Sequence, residues 1–292
     1  MAGSIISLIA RALYAKAQRR GGIFYVRICS VGATDKEFLS MEHTLPRIKR
    51  PHTPNQNLLL ATLPAADYER LLPHLELVQM PLGWLLYESG GTQDYVYFPT
   101  TSIVSLLYVV SDRSSVEIAV AGNEGVVGIA FFTGGVTTPS RTVVQSAGFG
   151  YRVKARLLKW EFERGGPLQY LLLRYTQTLV AQMAQTAMCN RHHSVDQQLC
   201  RWLLLRLDRL PSNELTMNQD LIANLLGVRR ETVTEAAGRL QVAGVINYSC
   251  GKITVLDCSK LQARVCECYA VVKRESDRLL SLDVIPNFSN IH

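Results

Sequence analysis

The chain has 292 residues, of which 48% are hydrophobic and 19% charged, so it can form one large domain or two of ordinary size and is too apolar for a disordered protein. Its net charge is +7, but residues 1–50 hold nine Lys and Arg against three Asp and Glu. The rest is nearly neutral, with 22 basic and 21 acidic residues, so bulk charge says little about a nucleic-acid partner. No apolar run approaches the roughly 18 residues of a membrane-spanning helix. Seven irregularly spaced cysteines favour a reducing cytoplasm over a disulfide framework.

Residues 1–56 are predicted to be a basic, irregular leader that ends in the breaker-rich segment RIKRPHTPNQN. Chain termini commonly lack packing, so we expect poor order here, with an arm that touches nucleic acid or an anionic surface as the alternative. Met41 is an alternative start, which would leave residues 1–40 outside the native protein.

The next segment has the pattern of a β-rich domain. The helix-compatible stretch ATLPAADYERLLPHL comes first, and short β-like runs separated by glycines or polar pairs follow from Leu75 to Lys154. Many short strands at such spacing indicate a sandwich or a barrel. The runs are LELVQM, GWLLYES, YVYF, SIVSLLYVV, SVEIAVA, GVVGIAFF, RTVVQSA and YRV.

A helical region follows, from Ala155 onward, with a long helix predicted to begin at Pro167. Apolar residues at steps of three and four form a stripe along it, which suits a coiled-coil seam and equally an ordinary packed helix. The stripe consists of Leu168, Leu172, Tyr175, Leu179 and Met183. A second helix, SVDQQLCRWLLLRLDRL, comes next, with Ser194 as its candidate cap.

The segment from Leu215 to Asp257 has the pattern of two helices followed by a β-hairpin. Gly227 is predicted to end the first helix in the left-handed conformation of a tight turn. The second helix ends at Gly244, and VINY, SCG and KITVLD then predict a strand, a turn and a strand, the pattern of a winged helix-turn-helix. The residues predicted to be buried by the second helix are Val228, Val233, Ala236 or Ala237, and Leu240.

The start of that second helix carries two arginines, Arg229 and Arg230. Positive charge at a helix N-terminus is disfavoured by about 0.3–1 kcal/mol. Arg229 also stands where a capping residue would be expected, whose loss costs about 1 kcal/mol. A DNA phosphate at this end would relieve both penalties. The residues predicted to face outward are Arg230, Glu231, Thr234, Glu235 and Gly238.

The sequence Arg-Glu-Thr-Val at residues 230–233, followed by LQVAGVI and GKITVLD, resembles the winged helix-turn-helix of the bacterial Crp/Fnr family of transcription regulators. The resemblance runs from about Leu58 to Leu261 and implies an α+β fold. Its expected parts are an antiparallel β-roll (a double-stranded β-helix of the cyclic-nucleotide-binding type) that serves as sensor at 57–166, a dimerisation helix at 167–192, a Crp-type winged helix-turn-helix at 193–263 and a helical tail at 264–292.

The resemblance further implies a cytoplasmic homodimer that is not an enzyme, binds a pseudo-palindromic operator in double-stranded DNA, contacts RNA polymerase and does not bind a membrane. Arg230 and Glu231 match base-reading positions of the family, whereas Glu235 replaces an arginine. Glu235 is therefore either a cytosine reader or an ion-pair partner of Arg239, the latter being favoured. The alternative function is a small-molecule-binding or protein-interaction module without specific DNA binding. The predicted DNA-binding residues are Arg229, Arg230, Glu231, Thr232, Thr234, Glu235, Arg239 and Lys252.

A degenerate phosphate-binding cassette is the resemblance's only pointer to an effector. In GVVGIAFFTGGVTTPSRTVV, Gly128 fits the glycine of the family's cyclic-nucleotide cassette, and Arg141 with Thr142 fits its phosphate-binding pair. Ile129 stands in place of the ribose-binding glutamate and cannot accept hydrogen bonds from ribose hydroxyls. Cyclic-nucleotide binding is therefore not expected, and the effector is left open.

The cysteines are predicted to hold no metal. Only Cys29 precedes Cys189, so the N-terminal iron–sulfur site of the family's redox branch is not expected. Cys266 and Cys268 would point in different directions on a helix, which favours buried or incidental cysteines over a shared ion or a thiol switch. The pair His192–His193 is interpreted as a polar helix end rather than a haem or zinc ligand.

Overall fold

The chain of the computed structural model divides into two units, residues 1–51 with 249–251 and residues 52–248 with 252–292. In the first unit, strands β1 (Ala15–Arg20) and β2 (Ile23–Ile28) pair antiparallel, where the sequence predicted an irregular leader. The alternative start at Met41 lies outside the described residues. Described in full are residues 52–109, 115–135, 137–210 and 212–280.

Two short helices, α1 (Leu58–Ala61) and α2 (Ala65–Leu71), lead into the roll. Asn57 caps α1, because its Oδ1 accepts a hydrogen bond from the Leu60 amide at 3.1 Å. Its Nδ2 donates to the carbonyls of Pro99 and Gly125 at 2.9 and 2.8 Å. This fully buried asparagine therefore satisfies the helix start and fixes it to the strands at once.

The roll consists of two antiparallel sheets, with strand orders β3-β9-β5 and β4-β8-β6-β7. This is the antiparallel roll that the sequence predicted. The run GVVGIAFF is not a strand, however: Val127 makes one isolated bridge to Tyr97, and Gly128, with φ of +106°, turns the chain away. The strands are β3 Glu76–Met80, β4 Leu85–Tyr87, β5 Tyr95–Pro99, β6 Ile103–Val109, β7 Ser115–Ala121, β8 Arg141–Ser146 and β9 Gly148–Lys154.

The helical part begins with α3 (Ala155–Glu163) and the 26-residue helix α4 (Pro167–His192). Ser194 caps the next helix, α5, as predicted, and forms a capping box with Gln197. The chain then continues as α5 Val195–Leu207, β10 Glu214–Thr216, α6 Gln219–Leu226, α7 Arg230–Val242, β11 Ile246–Ser249, β12 Lys252–Val255, α8 Cys258–Gln262 and α9 Glu267–Leu280. None of the described helices is both long and apolar enough to cross a membrane.

The predicted apolar stripe of α4 belongs to the core of its own chain. Four of its five members are buried in the cluster formed with the roll, and Met183 packs partly against that cluster. The stripe is therefore that of an ordinary packed helix. The opposite face of α4 carries exposed Leu173, Val180 and Met188, which the sequence analysis did not single out.

Two buried ion pairs join the roll to the end of α5 and to the turn that follows it. Arg206 Nη2 donates to Glu117 Oε2 at 2.5 Å, and the Ser105 hydroxyl donates to the same oxygen. Arg209 Nη2 lies 2.7 Å from Glu124 Oε1. Burial lowers the pKa of Arg206, since removal from water disfavours its charge. The Arg206–Glu117 pair thus holds α5, the helix that precedes the helix-turn-helix, against β7.

Candidate DNA-binding site

The helix-turn-helix consists of α6 and α7. Asn218 caps α6 by accepting a hydrogen bond from the Leu221 amide at 2.8 Å. Gly227 follows the helix with φ and ψ of 68° and 34°, the left-handed conformation that the sequence predicted. Arg229 is the N-cap of α7 and makes no side-chain capping bond, also as predicted. The first amide groups of α7 therefore have no capping side chain, and two arginines lie beside them.

The two faces of α7 separate as the sequence indicated. Val233, Ala236, Ala237 and Leu240 are buried in the core of this domain, and Val228 packs partly against it. The small alanines allow close packing on α5 and α6. The exposed face consists of Arg230, Glu231, Thr234, Glu235 and Gly238.

Two residues near the start of α7 contact the first helix of the motif. Arg230 Nε lies 3.4 Å from Asp220 Oδ1, and the two side chains are 61% and 60% exposed. The Thr234 hydroxyl donates to Gln219 Oε1 at 2.7 Å. Exposed pairs of this kind contribute little to stability, so Arg230 can exchange Asp220 for a ligand at small cost.

The predicted ion pair between Glu235 and Arg239 is a minor contact. Arg239 is held by Asp196 at the start of α5, with Nε–Oδ2 and Nη2–Oδ1 distances of 2.8 and 2.6 Å. Glu235 Oε2 lies 3.8 Å from Arg239 Nη1. Asp196 also raises the pKa of Arg239, chiefly through these hydrogen bonds. The Glu235 carboxylate is 69% exposed, so the contact leaves it accessible.

The remaining predicted DNA contacts lie at the helix start and in the wing. Arg229 is exposed and Thr232 half-buried. Lys252 begins β12 in the sheet ordered β10-β12-β11, and its Nζ lies 2.6 Å from Glu214 Oε2 on β10. The wing lysine is therefore paired with a carboxylate that DNA would have to displace.

The cassette residues of the roll have partners within the chain. Arg141 Nε lies 3.4 Å from Glu88 Oε2, and Thr142 is buried on β8. Tyr87 is buried and its hydroxyl donates to the Tyr95 carbonyl, directly over Gly128, where an added Cβ would be 2.5 Å from that hydroxyl. Burial raises the pKa of Tyr87. These contacts do not identify an effector, and the absence of cyclic-nucleotide binding stays a prediction.

Four residues lie together at the junction of α4 and α9, and three of them were considered as possible ligands in the sequence analysis. They are Cys189, His193, Cys266 and Cys268, whose potential ligand atoms all lie within 4.8 Å of one another. Cys266 and Cys268 do not diverge as the sequence predicted for two residues of one helix, because α9 begins at Glu267 and Cys266 precedes it. Burial raises the pKa of the Cys189 and Cys268 thiols. The spacing Cys-x3-His at a helix end could have signalled half of this cluster.

Comparison with known proteins agrees with the geometry. The family model of the Crp-like helix-turn-helix domain matches residues 197–264. No curated protein sequence matches the chain. Among solved structures, FixK2 from Bradyrhizobium japonicum is 17% identical with a TM-score of 0.56, covering 66% of this chain and 98% of its own.

Two further structures have the same fold. TTHA1359, a Crp/Fnr-family transcriptional regulator from Thermus thermophilus, is 21% identical with a TM-score of 0.52, over 65% of this chain and 97% of its own. The global regulator CLP of Xanthomonas campestris is 17% identical with a TM-score of 0.54, over 66% of this chain and 100% of its own. At these identities the likeness establishes the fold.

The class defined by these features is a β-roll joined by a long helix to a winged helix-turn-helix. Within that class, the chain carries a Crp-like helix-turn-helix domain and has the fold of the Crp/Fnr regulators. The CLP protein is described as a global regulator and TTHA1359 as a transcriptional regulator.

Proposed function

We propose that this protein is a homodimeric, sequence-specific transcription regulator whose α7 helices read the major groove of an operator. The observation that carries the proposal is the exposed face of α7, where Arg230, Glu231 and Glu235 follow an uncapped, arginine-bearing helix start. An arginine can read guanine and a glutamate can accept from cytosine, while phosphate binds the helix amides. Contact with RNA polymerase and a cytoplasmic location stay predictions from the resemblance.

The exposed side of α4 supports the homodimer. Its exposed residues recur at alternating steps of four and three, the spacing of a coiled-coil seam. Leu173 and Val180 are costly to leave in water along one line of a helix, and the small residues Ala184 and Ala187 after them allow a second helix to approach. A second copy of α4 is the occupant that fits, because a two-fold axis would set identical faces together. The seam consists of Leu173, Gln177, Val180, Ala184 and Ala187.

Val180→Glu is expected to convert the dimer to a monomer, because two carboxylates would face each other where two valines met. Val180 is 52% exposed in the single chain, so the change should leave the monomer folded. Val242→Glu is the matched control, since Val242 is 92% exposed and lies on α7 rather than on this seam. Sedimentation equilibrium measures the outcome. A dimer unaffected by Val180→Glu would contradict the proposed seam.

The proposed signal acts on the roll and is not a cyclic mononucleotide. Ile129 offers no acceptor for the ribose hydroxyls of such a ligand. CLP is described as responsive to cyclic di-GMP, which makes that dinucleotide a candidate to test. A ligand can act only by binding one arrangement of the dimer better than another.

Selection of bound duplexes from a random DNA pool tests the proposed function. The full chain is expected to enrich a pseudo-palindrome whose half-sites are about one helical turn apart. Parallel selections with cyclic AMP, cyclic GMP and cyclic di-GMP test the effector, and we expect equal enrichment with and without either mononucleotide. Failure to enrich any motif would favour the alternative of a binding module without specific DNA recognition.

A further inference from the structure

We propose that Cys189, His193, Cys266 and Cys268 form a four-coordinate zinc site that fastens the start of α9 to the end of α4. Cys189 lies in the last turn of α4, and His193 caps it. Cys266 and Cys268 flank the first residue of α9. The chain passes from His193 directly into α5 and the DNA-binding domain. The ion would therefore clamp the C-terminal helix at the point where the roll's long helix ends.

The separations of the ligand atoms fit one tetrahedral ion. Zn–S bonds of about 2.3 Å and Zn–N bonds of about 2.0 Å place the ligands of a tetrahedral site about 3.5–3.8 Å apart. Cys189 Sγ lies 3.6 Å from Cys266 Sγ, and Cys268 Sγ lies 3.6 Å from His193 Nδ1. No pair among the four exceeds 4.8 Å, so closure needs a shift of roughly one ångström.

The second nitrogen of His193 lies close to a carboxylate, the usual neighbour of a metal-bound imidazole. His193 Nε2 lies 3.3 Å from Glu267 Oε1. A proton on Nε2, donated to that carboxylate, leaves the Nδ1 lone pair facing the thiols. Carboxylate–histidine–metal arrangements of this kind fix the ring and its tautomer. Glu267, between the two cysteines, thereby becomes a positioning residue for the proposed site.

The surroundings suit the net charge of such a complex. Zn²⁺ would displace three thiol protons, which leave to solvent, and would take the Nδ1 lone pair with no change in oxidation state. The resulting complex carries one negative charge. Arg201 is buried, interacts electrostatically with Cys189 and Cys268, and has an Nε without a hydrogen-bond partner among the described residues. Its guanidinium can balance that charge.

The donor set selects zinc among the common ions. Three thiolates and one imidazole suit a soft, tetrahedral ion, and a closed set of four protein ligands is typical of structural zinc. In an iron–sulfur cluster the ligands are distributed over two or more iron atoms, whereas this compact group surrounds a single point. Gln198 fixes the ligand backbone by donating from Nε2 to the carbonyls of His193 and Cys189, at 2.9 and 3.4 Å.

Metal content of the full chain, purified under reducing conditions and supplied with Zn²⁺, tests the site. Multi-element mass spectrometry after gel filtration should find about one zinc per chain. His193→Ala and Cys268→Ser are expected to weaken zinc retention against a chelating dye by at least about tenfold. Their matched controls, His192→Ala and Cys258→Ser, alter an exposed neighbour of the same type and should retain the metal.

A second measurement covers the case in which a ligand variant fails to fold. Removal of zinc from the unaltered chain by a chelator should lower its Tm, and added Zn²⁺ should restore it. Reconstitution with Co²⁺ alone should give the visible absorption of tetrahedral thiolate coordination. The proposal is overturned if the reduced, zinc-supplied chain holds no stoichiometric metal, if iron with sulfide is found instead, or if His192→Ala loses as much zinc as His193→Ala.

Discussion

Glu117→Gln is expected to lower the free energy of unfolding by about 3–5 kcal/mol, because it leaves the Arg206 charge buried without its counterion. Arg206 is 1% exposed, and its guanidinium lies 3.5 Å from the ring centroid of Trp202 as well as 2.5 Å from Glu117. Neither the Trp202 ring nor the Trp202 carbonyl, which accepts from Arg206 at 3.3 Å, carries the negative charge that Glu117 supplies. Urea unfolding followed by circular dichroism measures the change.

The matched control for this variant is Glu76→Gln. Glu76 makes a two-point contact with Arg152 at 2.8 and 2.9 Å, but at the exposed edge of the roll, so its loss should change stability far less. Replacing both buried partners, as Glu117→Leu with Arg206→Met, should recover most of the loss, since no charge is then left unpaired. Equal effects of Glu117→Gln and Glu76→Gln would refute the buried-pair account.

Arg230→Ala is expected to weaken binding to the selected operator by about 1–3 kcal/mol, roughly 5- to 150-fold in Kd. The loss should fall on the base pair that Arg230 reads and leave binding to random DNA nearly unchanged. The fold should persist, because Arg230 contacts only exposed Asp220 among its described ion-pair partners. Fluorescence anisotropy at constant salt measures both affinities, and the Tm of the variant serves as the folding control.

Arg239→Ala provides the matched comparison on the same helix. Asp196 accepts from Nε and Nη2 of Arg239, so this arginine should contribute less to base discrimination than Arg230. Glu235→Gln separates the two roles considered for Glu235. A base reader predicts altered preference at one operator position, whereas an ion-pair residue predicts unaltered preference. Equal losses of specificity from Arg230→Ala and Arg239→Ala would contradict the assigned roles.

Much of this fold could be predicted because local chemistry specifies it. Gly227 had to adopt a positive φ, and Ser194 had to cap a helix, whatever the rest of the chain did. The buried face of α7 followed from helical periodicity in the same way. Short strands separated by glycines predicted the roll, except at Gly128, where a left-handed residue interrupts an apolar run.

Long-range contacts account for what the sequence analysis missed. Periodicity identified an apolar stripe on α4 but could not tell the chain's own roll from a second copy. Arg239 pairs closely with Asp196 rather than with nearby Glu235, because α7 packs on α5. Cys189 and Cys266 are 77 residues apart in sequence. Their proximity depends on α9 returning to α4, which no local pattern encodes.

The affinity of the full chain for its selected operator, relative to a scrambled duplex of the same length, tests the central claim most directly. Titration at one near-physiological salt concentration should give a Kd at least about 10³-fold lower for the operator, with one dimer bound per site. In the same titration, Arg230→Ala should reduce the preference for the operator over the scrambled duplex. Equal affinity for the two duplexes would contradict the claim that α7 reads a DNA sequence.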